Sequence, residues 1–543
     1  MQLRVSFMTL LAGIFVVLSS TNNPVNALPL SKKETPGIVT LPLKRVPLPR
    51  DVHPQILLQQ HINRSRRRLA RMTGRNEPSA EELEQHMKRR VVSVEGPEGL
   101  QKRYNRQGVP KTQGGATGKT NNQKATGGRN GQQGNGATGQ SGNNNGGNQT
   151  TGNKGGKGAG NSKGGKGAGA ATGAAAGAAG GAAGATAGAT SGGAATQAVT
   201  NANTPTAGNS LGLDIEANDV GYLATVQMGT PPQDFLILMD SGSADLWVGA
   251  ENCQSANGGD CGNHRFLGSQ SSSSFVDTNQ PFSVTYGTGS VSGDIITDNI
   301  AIAGLQLNQH TFGVATTESA DFSDNTTPFD GLMGLAQSTL SEQKTLTPIE
   351  ALAKQGVVNQ AVIGYKISRL ADNKNDGEIT FGGTDSAKFD SATVVDLPNV
   401  SQQGFWESAM DAVSVDGKSL GLNGRTAILD TGTTLIVAPD ADAQAVHAAI
   451  TGAQPDGQGG FTIPCNTQAS VALTFGGTSF AIDPRDIAFQ PVDPNNPNGD
   501  CVSGISSGNV GGANEWLVGD VFLKNAYFST DVGKNSMSLA KLA

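Results

Sequence analysis

Two short segments of the sequence repeat one another, and this repeat constrains the fold more than any other feature. Each is an apolar run that ends in Asp, a hydroxyl residue, Gly and a second hydroxyl residue. The first reads Phe235-Leu-Ile-Leu-Met-Asp240-Ser241-Gly242-Ser243, and the second reads Thr426-Ala-Ile-Leu-Asp430-Thr431-Gly432-Thr433. Apolar runs of this length between turn residues are typical of buried strands. Asp240 and Asp430 are 190 residues apart, which predicts two similar lobes with one copy in each.

The residue types of the repeat are suited to acid–base chemistry. Each strand would deliver a carboxylate to a tight turn, where glycine lets the backbone approach closely and hydroxyls can orient the acid. If the lobes face each other, Asp240 and Asp430 share one proton, so one apparent pKa falls and the other rises from about 3.9. Such a pair acts as a base towards water and as an acid towards a carbonyl. The predicted supporting residues are Ser241, Gly242, Ser243, Thr431, Gly432 and Thr433.

Charge is distributed unevenly along the chain. Residues 1–210 contain 26 Lys and Arg against 8 Asp and Glu, a net charge of +18. Residues 211–543 contain 13 against 37, a net charge of −24. The acidic part would repel phosphates, which excludes a nucleic-acid binder built on it. No stretch approaches the roughly 20 apolar residues of a membrane helix, so we expect no integral membrane span.

The basic part begins with two distinct segments. Residues 1–27 combine a basic start, an apolar run to Leu18 and a small-residue cleavage site at Ala27, which predicts a secretory signal peptide. Residues 28–103 are rich in basic residues and proline and end at the dibasic pair Lys102-Arg103. We interpret them as a pro-segment; a solvated basic arm is the alternative. Helix signals occur at Ile56-Leu57-Leu58, at Leu69 and at Ser79-Ala80-Glu81-Glu82.

Residues 104–208 form a low-complexity tract. They consist mainly of Gly, Ala, Asn, Thr, Ser and Gln, and no Asp or Glu occurs between Glu98 and Asp214. Because apolar side chains are scarce, little offsets the entropy lost on ordering, and we predict a disordered linker. An alternative is that this tract attaches the protein to a wall or matrix.

The pattern changes after the linker. Apolar–polar alternation bounded by turn residues occurs at 222–228 and 234–239, which predicts short strands. Helical patterning is limited to pieces such as 348–355 and 440–450. The sequence therefore predicts a mainly β fold of two lobes, 209–395 and 396–543.

Further motifs accompany the repeat. They are Asp245-Leu-Trp247-Val248, Val284-Thr-Tyr286-Gly-Thr288-Gly-Ser-Val-Ser-Gly293, Phe329-Asp330-Gly331-Leu332-Met333-Gly334-Leu335, Gly404-Phe405-Trp406 and Trp516-Leu517-Val518-Gly519-Asp520. In this order they resemble the pepsin-like aspartic endopeptidases from Asn218 to Ala543. The resemblance implies the bilobal pepsin-like fold, with Asp240 and Asp430 as the catalytic pair, and it implies neither a cofactor nor a metal.

The resemblance also implies roles for residues that would otherwise be read as core or turn positions. The implied flap and substrate-binding residues are Tyr286, Gly287, Thr288, Trp247, Leu238 and Leu332. Trp247 would orient Tyr286, and the two leucines would line the main specificity pocket. This implies a preference for large apolar side chains beside the cut bond.

Four cysteines allow three disulfide pairings. The resemblance implies Cys253–Cys261 and Cys465–Cys501, one bridge in each lobe. A zinc site is the rival interpretation, but the sequence lacks the close ligand pairs that such sites use.

These features predict an aspartic-type endopeptidase that works at acid pH and is made as a secreted zymogen. The expected partners are polypeptide substrates, pepstatin-type inhibitors and its own pro-segment as an intramolecular inhibitor, and we expect a monomer. The basic pro-segment would dock on the acidic enzyme until acidification weakens the attraction. A vacuolar location is the alternative to secretion, and a pepsin-like fold that only binds is the alternative function.

Two details complete the expectations. Ser241 stands where the resembled family usually has Thr; since the hydroxyl is retained, we expect activity. Sequons for N-glycosylation, which predict a glycoprotein, begin at Asn63, Asn148, Asn325 and Asn399.

Overall fold

The computed structural model describes nine stretches of the chain. They are residues 39–44, 53–72, 78–104, 213–216, 221–286, 289–325, 327–493, 495–508 and 514–543. All of them belong to one compact unit made of residues 1–107 and 196–543. The predicted signal peptide and residues 105–208 of the predicted linker lie outside the described residues.

The described part of the predicted pro-segment forms one strand and two helices. Strand β1 spans Val39–Lys44, helix α1 spans Pro54–Met72 and helix α2 spans Ala80–Tyr104. Ser79 begins α2 as predicted, because its hydroxyl accepts a hydrogen bond from the Glu82 N–H at 3.1 Å. Gly96 interrupts α2 with a backbone φ of 72°, a conformation that favours glycine.

The remaining elements are mostly short strands, which confirms the mainly β prediction. The strands are β2 Asp214–Glu216, β3 Gly221–Met228, β4 Gln233–Asp240, β5 Leu246–Ser255, β6 Phe266–Leu267, β7 Val276–Thr285, β8 Ser290–Ile302, β9 Leu305–Glu318, β10 Gly331–Gly334, β11 Val362–Lys366, β12 Glu378–Phe381, β13 Val395–Pro398, β14 Glu407–Met410, β15 Ala412–Val415, β16 Lys418–Ser419, β17 Arg425–Leu429, β18 Ile436–Ala438, β19 Gln454–Pro455, β20 Phe461–Pro464, β21 Val471–Phe475, β22 Thr478–Ala481, β23 Ala488–Pro491, β24 Asp500–Ser503, β25 Ile505–Ser507, β26 Glu515–Val518, β27 Tyr527–Asp531 and β28 Ser536–Ala540. The later helices are α3 Ala320–Ser323, α4 Pro348–Lys354, α5 Asp440–Ala448, α6 Pro484–Ile487 and α7 Asp520–Leu523, with 3₁₀ turns at Ser338–Leu340, Leu370–Asp372 and Ser391–Thr393.

The two copies of the repeat lie in equivalent strand arrangements. In the first lobe, β4 lies between antiparallel β3 and parallel β10, and β10 pairs antiparallel with β5. In the second lobe, β17 lies between antiparallel β14 and parallel β26, and β26 pairs antiparallel with β18. This correspondence confirms the prediction of two similar lobes.

The first arrangement is part of a 15-stranded sheet. Its order is β13-β28-β27-β11-β12-β1-β2-β3-β4-β10-β5-β9-β8-β7, with β6 beside β5. Strand β1 of the predicted pro-segment is integrated into this sheet, pairing antiparallel with β12 from Val39↔Phe381 to Pro42↔Glu378. The second arrangement extends to a five-stranded sheet, and the second lobe also contains two four-stranded sheets, β16-β15-β21-β22 and β19-β20-β24-β23. Strands β27 and β28 follow in sequence but belong to the 15-stranded sheet.

The core is apolar, and its tryptophans satisfy their polar atoms. Trp406 and Trp516 are fully buried. The Trp406 indole donates to the Leu335 carbonyl at 3.0 Å, and that of Trp516 donates to Asp442 at 3.0 Å. A buried indole N–H without an acceptor would be costly, so these bonds specify how the elements pack.

Both implied disulfides are present. Cys253 pairs with Cys261 in the first lobe, and Cys465 pairs with Cys501 in the second. Each bridge closes a loop within its lobe, which restricts the unfolded chain.

Among the described residues, no helix is long and apolar enough to cross a membrane.

Glu318 is a buried acid at the end of β9. Only 2% of its surface is exposed, and its carboxylate lies within 4.8 Å of the sulfurs of Cys253 and Cys261. Burial, assisted by the charge of Asp330, raises the pKa of Glu318 to about 7. The folded protein therefore retains a proton that the unfolded chain releases at lower pH.

We predict that Glu318→Gln stabilises the protein at neutral pH. Since the pKa is about 7 when folded against 4.5 for the ordinary group, the wild-type stability contributed by Glu318 is complete below pH 4.5 and is lost as pH rises towards 7. The variant should gain about 2 kcal/mol at pH 8 relative to pH 5. Urea unfolding at both pH values checks this, with exposed Glu342→Gln as the matched control; an equal pH dependence in wild type and variant would contradict it.

Candidate active site

The repeat brings its two aspartates to the ends of equivalent strands. Asp240 is the last residue of β4, Asp430 directly follows β17, and both are fully buried. Burying two carboxylates is costly unless hydrogen bonds or opposite charges compensate. The surrounding turns supply such compensation.

The hydroxyl residues after the aspartates join the two turns. The Ser241 N–H donates to Thr431 Oγ1, and the Thr431 N–H donates to Ser241 Oγ, both at 2.9 Å. The Ser241 hydroxyl in turn donates to the Leu429 carbonyl at 3.1 Å, and the Thr431 hydroxyl donates to the Met239 carbonyl at 2.9 Å. Each hydroxyl crosses into the other turn, so the exchange holds the lobes in register. Ser241 makes its side-chain bonds through the hydroxyl group, so the methyl group that a threonine would add is not needed for them.

Each carboxylate receives the same two hydrogen bonds from its own turn. Asp240 accepts from the Gly242 N–H at 2.9 Å and from the Ser243 hydroxyl at 2.6 Å. Asp430 accepts the two equivalent bonds, from the Gly432 N–H at 2.9 Å and from the Thr433 hydroxyl at 2.6 Å. The local geometry is therefore nearly symmetric.

Glycine is required where the two turns approach each other. A Cβ atom at Gly242 would overlap the Asp430 carboxylate, and one at Gly432 would overlap that of Asp240. Any side chain at either position would therefore push the opposite acid away.

An arginine of the predicted pro-segment neutralises both acids. The Arg68 guanidinium, on α1, contacts Asp240 through Nη2 and Asp430 through Nε, and Nη2 also donates to Asp430 Oδ1 at 2.8 Å. Arg68 is buried, with 8% of its surface exposed. Charge-assisted bonds of this kind are among the strongest available to an acid. One cation thus bridges the pair.

The charges in the site shift one another's protonation. Burial raises the pKa of Asp430 to about 6; Arg68 opposes this shift, and the charge of Asp240 adds to it. Burial alone would lower the pKa of Arg68, but the two carboxylates raise it well above its ordinary value. Arg68 therefore remains charged while Asp430 has an unusual affinity for protons.

An aromatic cluster lies beside the pair, at the hairpin of β7 and β8. The Trp247 indole donates to the Tyr286 hydroxyl at 2.9 Å. Phe322 packs edge-on against Tyr286 at 5.7 Å and against Trp247 at 5.3 Å between ring centroids. Tyr286 is 7% exposed, and burial raises its pKa well above the ordinary value, so the phenol stays neutral. Gly287 and Thr288 lie outside the described residues.

Leu238 and Leu332 contribute to this cluster. Leu332 is buried in it, and Leu238 packs against it while remaining half-buried. The two leucines are cross-strand neighbours, because β4 and β10 pair Leu238 with Leu332. Together with Phe322 and Trp247 they form an apolar wall.

Sequence reasoning did not identify two residues of this site. Arg68 belongs to a basic run in which no arginine is distinguished by pattern; only the docking of α1 selects it. Phe322 lies in a short polar segment, and the sequence carries no signal for its contact with Tyr286. Both contacts span large separations along the chain.

One cluster of possible metal ligands occurs in the part of the chain that the structure describes, formed by Cys253, Cys261 and Glu318. The two sulfurs are bonded to each other in a disulfide and offer no thiolate. The cluster therefore does not fit a zinc site.

Comparison with known proteins assigns the domain that carries this site. The model of the eukaryotic aspartyl protease family matches residues 221–542. The chain belongs to this family. The match includes both aspartates and the aromatic cluster but not helices α1 and α2, so family membership is carried by the two-lobed domain.

Individual members of the family agree with this assignment. The chain is 38% identical to a "Probable aspartic-type endopeptidase CTSD" of Arthroderma benhamiae, over 62% of this chain and 64% of that protein. It is 34% identical to "Aspartic-type endopeptidase ctsD" of Aspergillus fumigatus, over 62% and 69%. It is 31% identical to "Pepsin A" of Canis lupus familiaris, over 60% and 82%. The matched part thus spans less than two thirds of the Arthroderma protein.

We predict that the exchanged hydroxyls are a major source of stability in this aspartyl protease domain. Ser241→Ala leaves the Thr431 N–H and the Leu429 carbonyl without partners, which should cost about 2 to 4 kcal/mol, as should Thr431→Val. The double variant should lose less than the sum, because both bonds join the same two turns. Denaturant unfolding measures all three.

Ser241→Thr is the matched control, since it retains the hydroxyl. It should remain within about 1 kcal/mol of wild type. Equal stability of Ser241→Ala and Ser241→Thr would show that the exchange contributes little.

Proposed function

We propose that this protein is an aspartic-type endopeptidase that hydrolyses peptide bonds through a water molecule activated by Asp240 and Asp430. The observation that carries the proposal is the nearly symmetric pair of buried carboxylates, each with the same hydrogen bonds and both in contact with one cation. Family membership supports the same chemistry.

Removal of Arg68 would leave two acids in a site with no compensating cation. One of them then takes up a proton, since two buried like charges cannot both persist. The charged member accepts a proton from water as the oxygen attacks the peptide carbonyl, and the protonated member donates to the carbonyl oxygen. Ser243 and Thr433 hold the outer oxygens, so the acids are oriented before substrate binds.

The apolar wall supports a preference for large apolar side chains beside the cut bond. Leu238, Leu332 and Phe322 would contact such a side chain, and its burial would provide binding energy. Tyr286, held by Trp247, would cover an extended peptide and exclude water. The substrates are therefore polypeptides, and pepstatin-type peptide analogues should compete for the same cleft.

The chain is made as a zymogen in this proposal. Residues 1–210 carry a net charge of +18 and the following domain −24, so the two parts attract at neutral pH. Arg68 occupies the position between the acids that the reacting water would need. The pro-segment thus inhibits by neutralising the chemical groups as well as by covering them.

Acid should release this inhibition. Arg68 favours the charged forms of the acids, so its departure is accompanied by proton uptake. By linkage, release becomes more favourable as pH falls towards the pKa that Asp430 has with Arg68 in place, about 6, and this dependence levels off below that pH. The zymogen is therefore held more tightly at neutral pH than in acid.

The predicted signal peptide and the sequons support a secreted glycoprotein, with the vacuole as the alternative destination. The sequons differ in their surroundings. Asn399 is buried and its amide donates to Asn535 at 3.1 Å, and the Asn63 amide donates to the Leu83 carbonyl at 3.0 Å. Asn325 is exposed. Of these three, Asn325 is the most accessible acceptor.

We predict that both aspartates are required for activity. Asp240→Asn and Asp430→Asn should each lower kcat/KM by about a hundredfold to ten-thousandfold, because neither acid works without its partner. Cleavage of an unfolded protein between pH 2 and 8 measures this, and pepstatin should abolish the wild-type activity. Exposed Asp500→Asn is the control and should match wild type. Inactivity of processed wild type at every pH would contradict the proposal and favour a binding-only protein.

We also predict that Arg68→Met lowers the latency of the precursor. Loss of the cation leaves two acids that bind a proton more readily, so the pro-segment is held less tightly. Activation should occur at least about one pH unit higher than in wild type. The measurement is the activation rate after transfer of precursor to a series of pH values. Half-buried Arg67→Met is the matched control; identical profiles for all three proteins would remove Arg68 from the inhibitory mechanism.

A further inference from the structure

The two helices of the pro-segment are joined into one unit. The Asn63 amide donates to the Leu83 carbonyl at 3.0 Å, and Arg66 Nη2 lies 3.0 Å from Glu82 Oε1. These bonds link α1 with the first turns of α2. Contacts that hold α2 on the rest of the protein therefore also help to hold α1, which carries Arg68.

A buried charge on α2 contacts the second lobe at a separate position. Arg90 is only 1% exposed, and its Nη2 lies 2.8 Å from Asp456 Oδ2. Arg90 Nε and Nη2 also donate to Gln59 Oε1 of α1, at 3.2 and 3.1 Å. Gln59 is fully buried. Arg90, Gln59 and Asp456 thus form a buried cluster, which we call the Arg90 anchor.

The second lobe presents Asp456 in a preformed turn. Asp456 lies between β19 and β20, and its Oδ1 accepts the N–H groups of Gln458 and Gly460 at 2.8 and 2.9 Å. The other oxygen is left for Arg90. The turn is therefore shaped by the lobe's own backbone.

Apolar contacts surround the anchor. Leu58 and Ile62 of α1 belong to the same buried cluster as the core of the second lobe. A Cβ at Gly460 would lie 3.1 Å from Leu58 Cδ2, so α1 packs directly against this glycine. Further along α1, Ala70 packs with Phe405 and Val437. The helix pair is thus docked as part of the core rather than laid on the surface.

Every one of these contacts is made by residues that precede the end of α2 at Tyr104, as is the pairing of β1 with β12. The protease domain resumes at residue 213 in the described chain. A cut between 105 and 212 therefore breaks none of them and removes only the effective concentration that a tether provides.

We propose that the pro-segment is a separable inhibitor subunit: after the linker is cut it remains bound, held by the Arg90 anchor on the second lobe. This rests on the proposed function, in which the pro-segment is the inhibitor. Arg68 blocks the chemistry and the Arg90 anchor sets the residence time. Cleavage between residues 105 and 212 is then insufficient for activation.

The test uses the full chain with a recognition sequence for a site-specific protease placed within residues 120–190. After cutting at pH 7, the two fragments should co-elute on size exclusion and separate on acidification. Departure of the N-terminal fragment at pH 7 overturns the proposal. Co-elution is measured without reference to enzymatic activity. Inactivity of the second fragment after it has been separated from the first in acid would therefore contradict the proposed function alone.

Variants identify the anchor. Arg90→Met should weaken retention of the cut fragment by about a hundredfold, because it leaves Asp456 and Gln59 without their buried partner. Exposed Arg89→Met, one residue away, should match wild type. Asp456→Asn tests the same contact from the second lobe and should also lose the fragment. Circular dichroism and thermal unfolding of each uncut precursor show whether the variant folds; retention by folded Arg90→Met equal to wild type overturns the role of the anchor.

Discussion

The structure depends on the burial of two negative charges at one point between two lobes. Asp240 and Asp430 have no exposed surface, and each is compensated by a backbone N–H and a hydroxyl of its own turn. These bonds alone leave two like charges in a medium of low polarity. The hydroxyl exchange of Ser241 and Thr431 nevertheless holds the turns together, so the charges cannot move apart. Binding of either a proton or a cation at this site would therefore reduce the repulsion between the two carboxylates.

In this structure the cation is Arg68, and under the proposed function this contact would link regulation with chemistry. The same electrostatic demand that would make the pair an acid–base catalyst makes it the binding site for an arginine. The predicted pro-segment meets this demand with one residue, while its other contacts lie within the large sheet and on the second lobe. The two proposals therefore place inhibition and retention on different residues, Arg68 and Arg90, which can be tested separately.

Much of the fold was predictable because it depends on local pattern. The strand–Asp–hydroxyl–Gly–hydroxyl repeat predicted two lobes, and equivalent strand arrangements around β4 and β17 confirm them. Short helices expected at 348–355 and 440–450 are Pro348–Lys354 and Asp440–Ala448. The pairing of the four cysteines required the family resemblance, because spacing left three possibilities. The placement of β1 within the large sheet had no local signal, since strand pairing is decided by the partners.

By itself, the sequence determined which chemical groups are available and where chain direction changes: two acids on apolar strands, hydroxyls and glycines in their turns, and a basic segment before an acidic domain. These follow from composition and short-range periodicity, which local sterics and burial translate into strands and turns. Only the tertiary structure decided that Arg68, among several neighbouring arginines, meets the acids, that Phe322 joins Tyr286 and Trp247, and that Arg90 reaches Asp456. Such contacts join residues far apart in the chain, and their partners are selected by how whole faces pack, which no local pattern encodes.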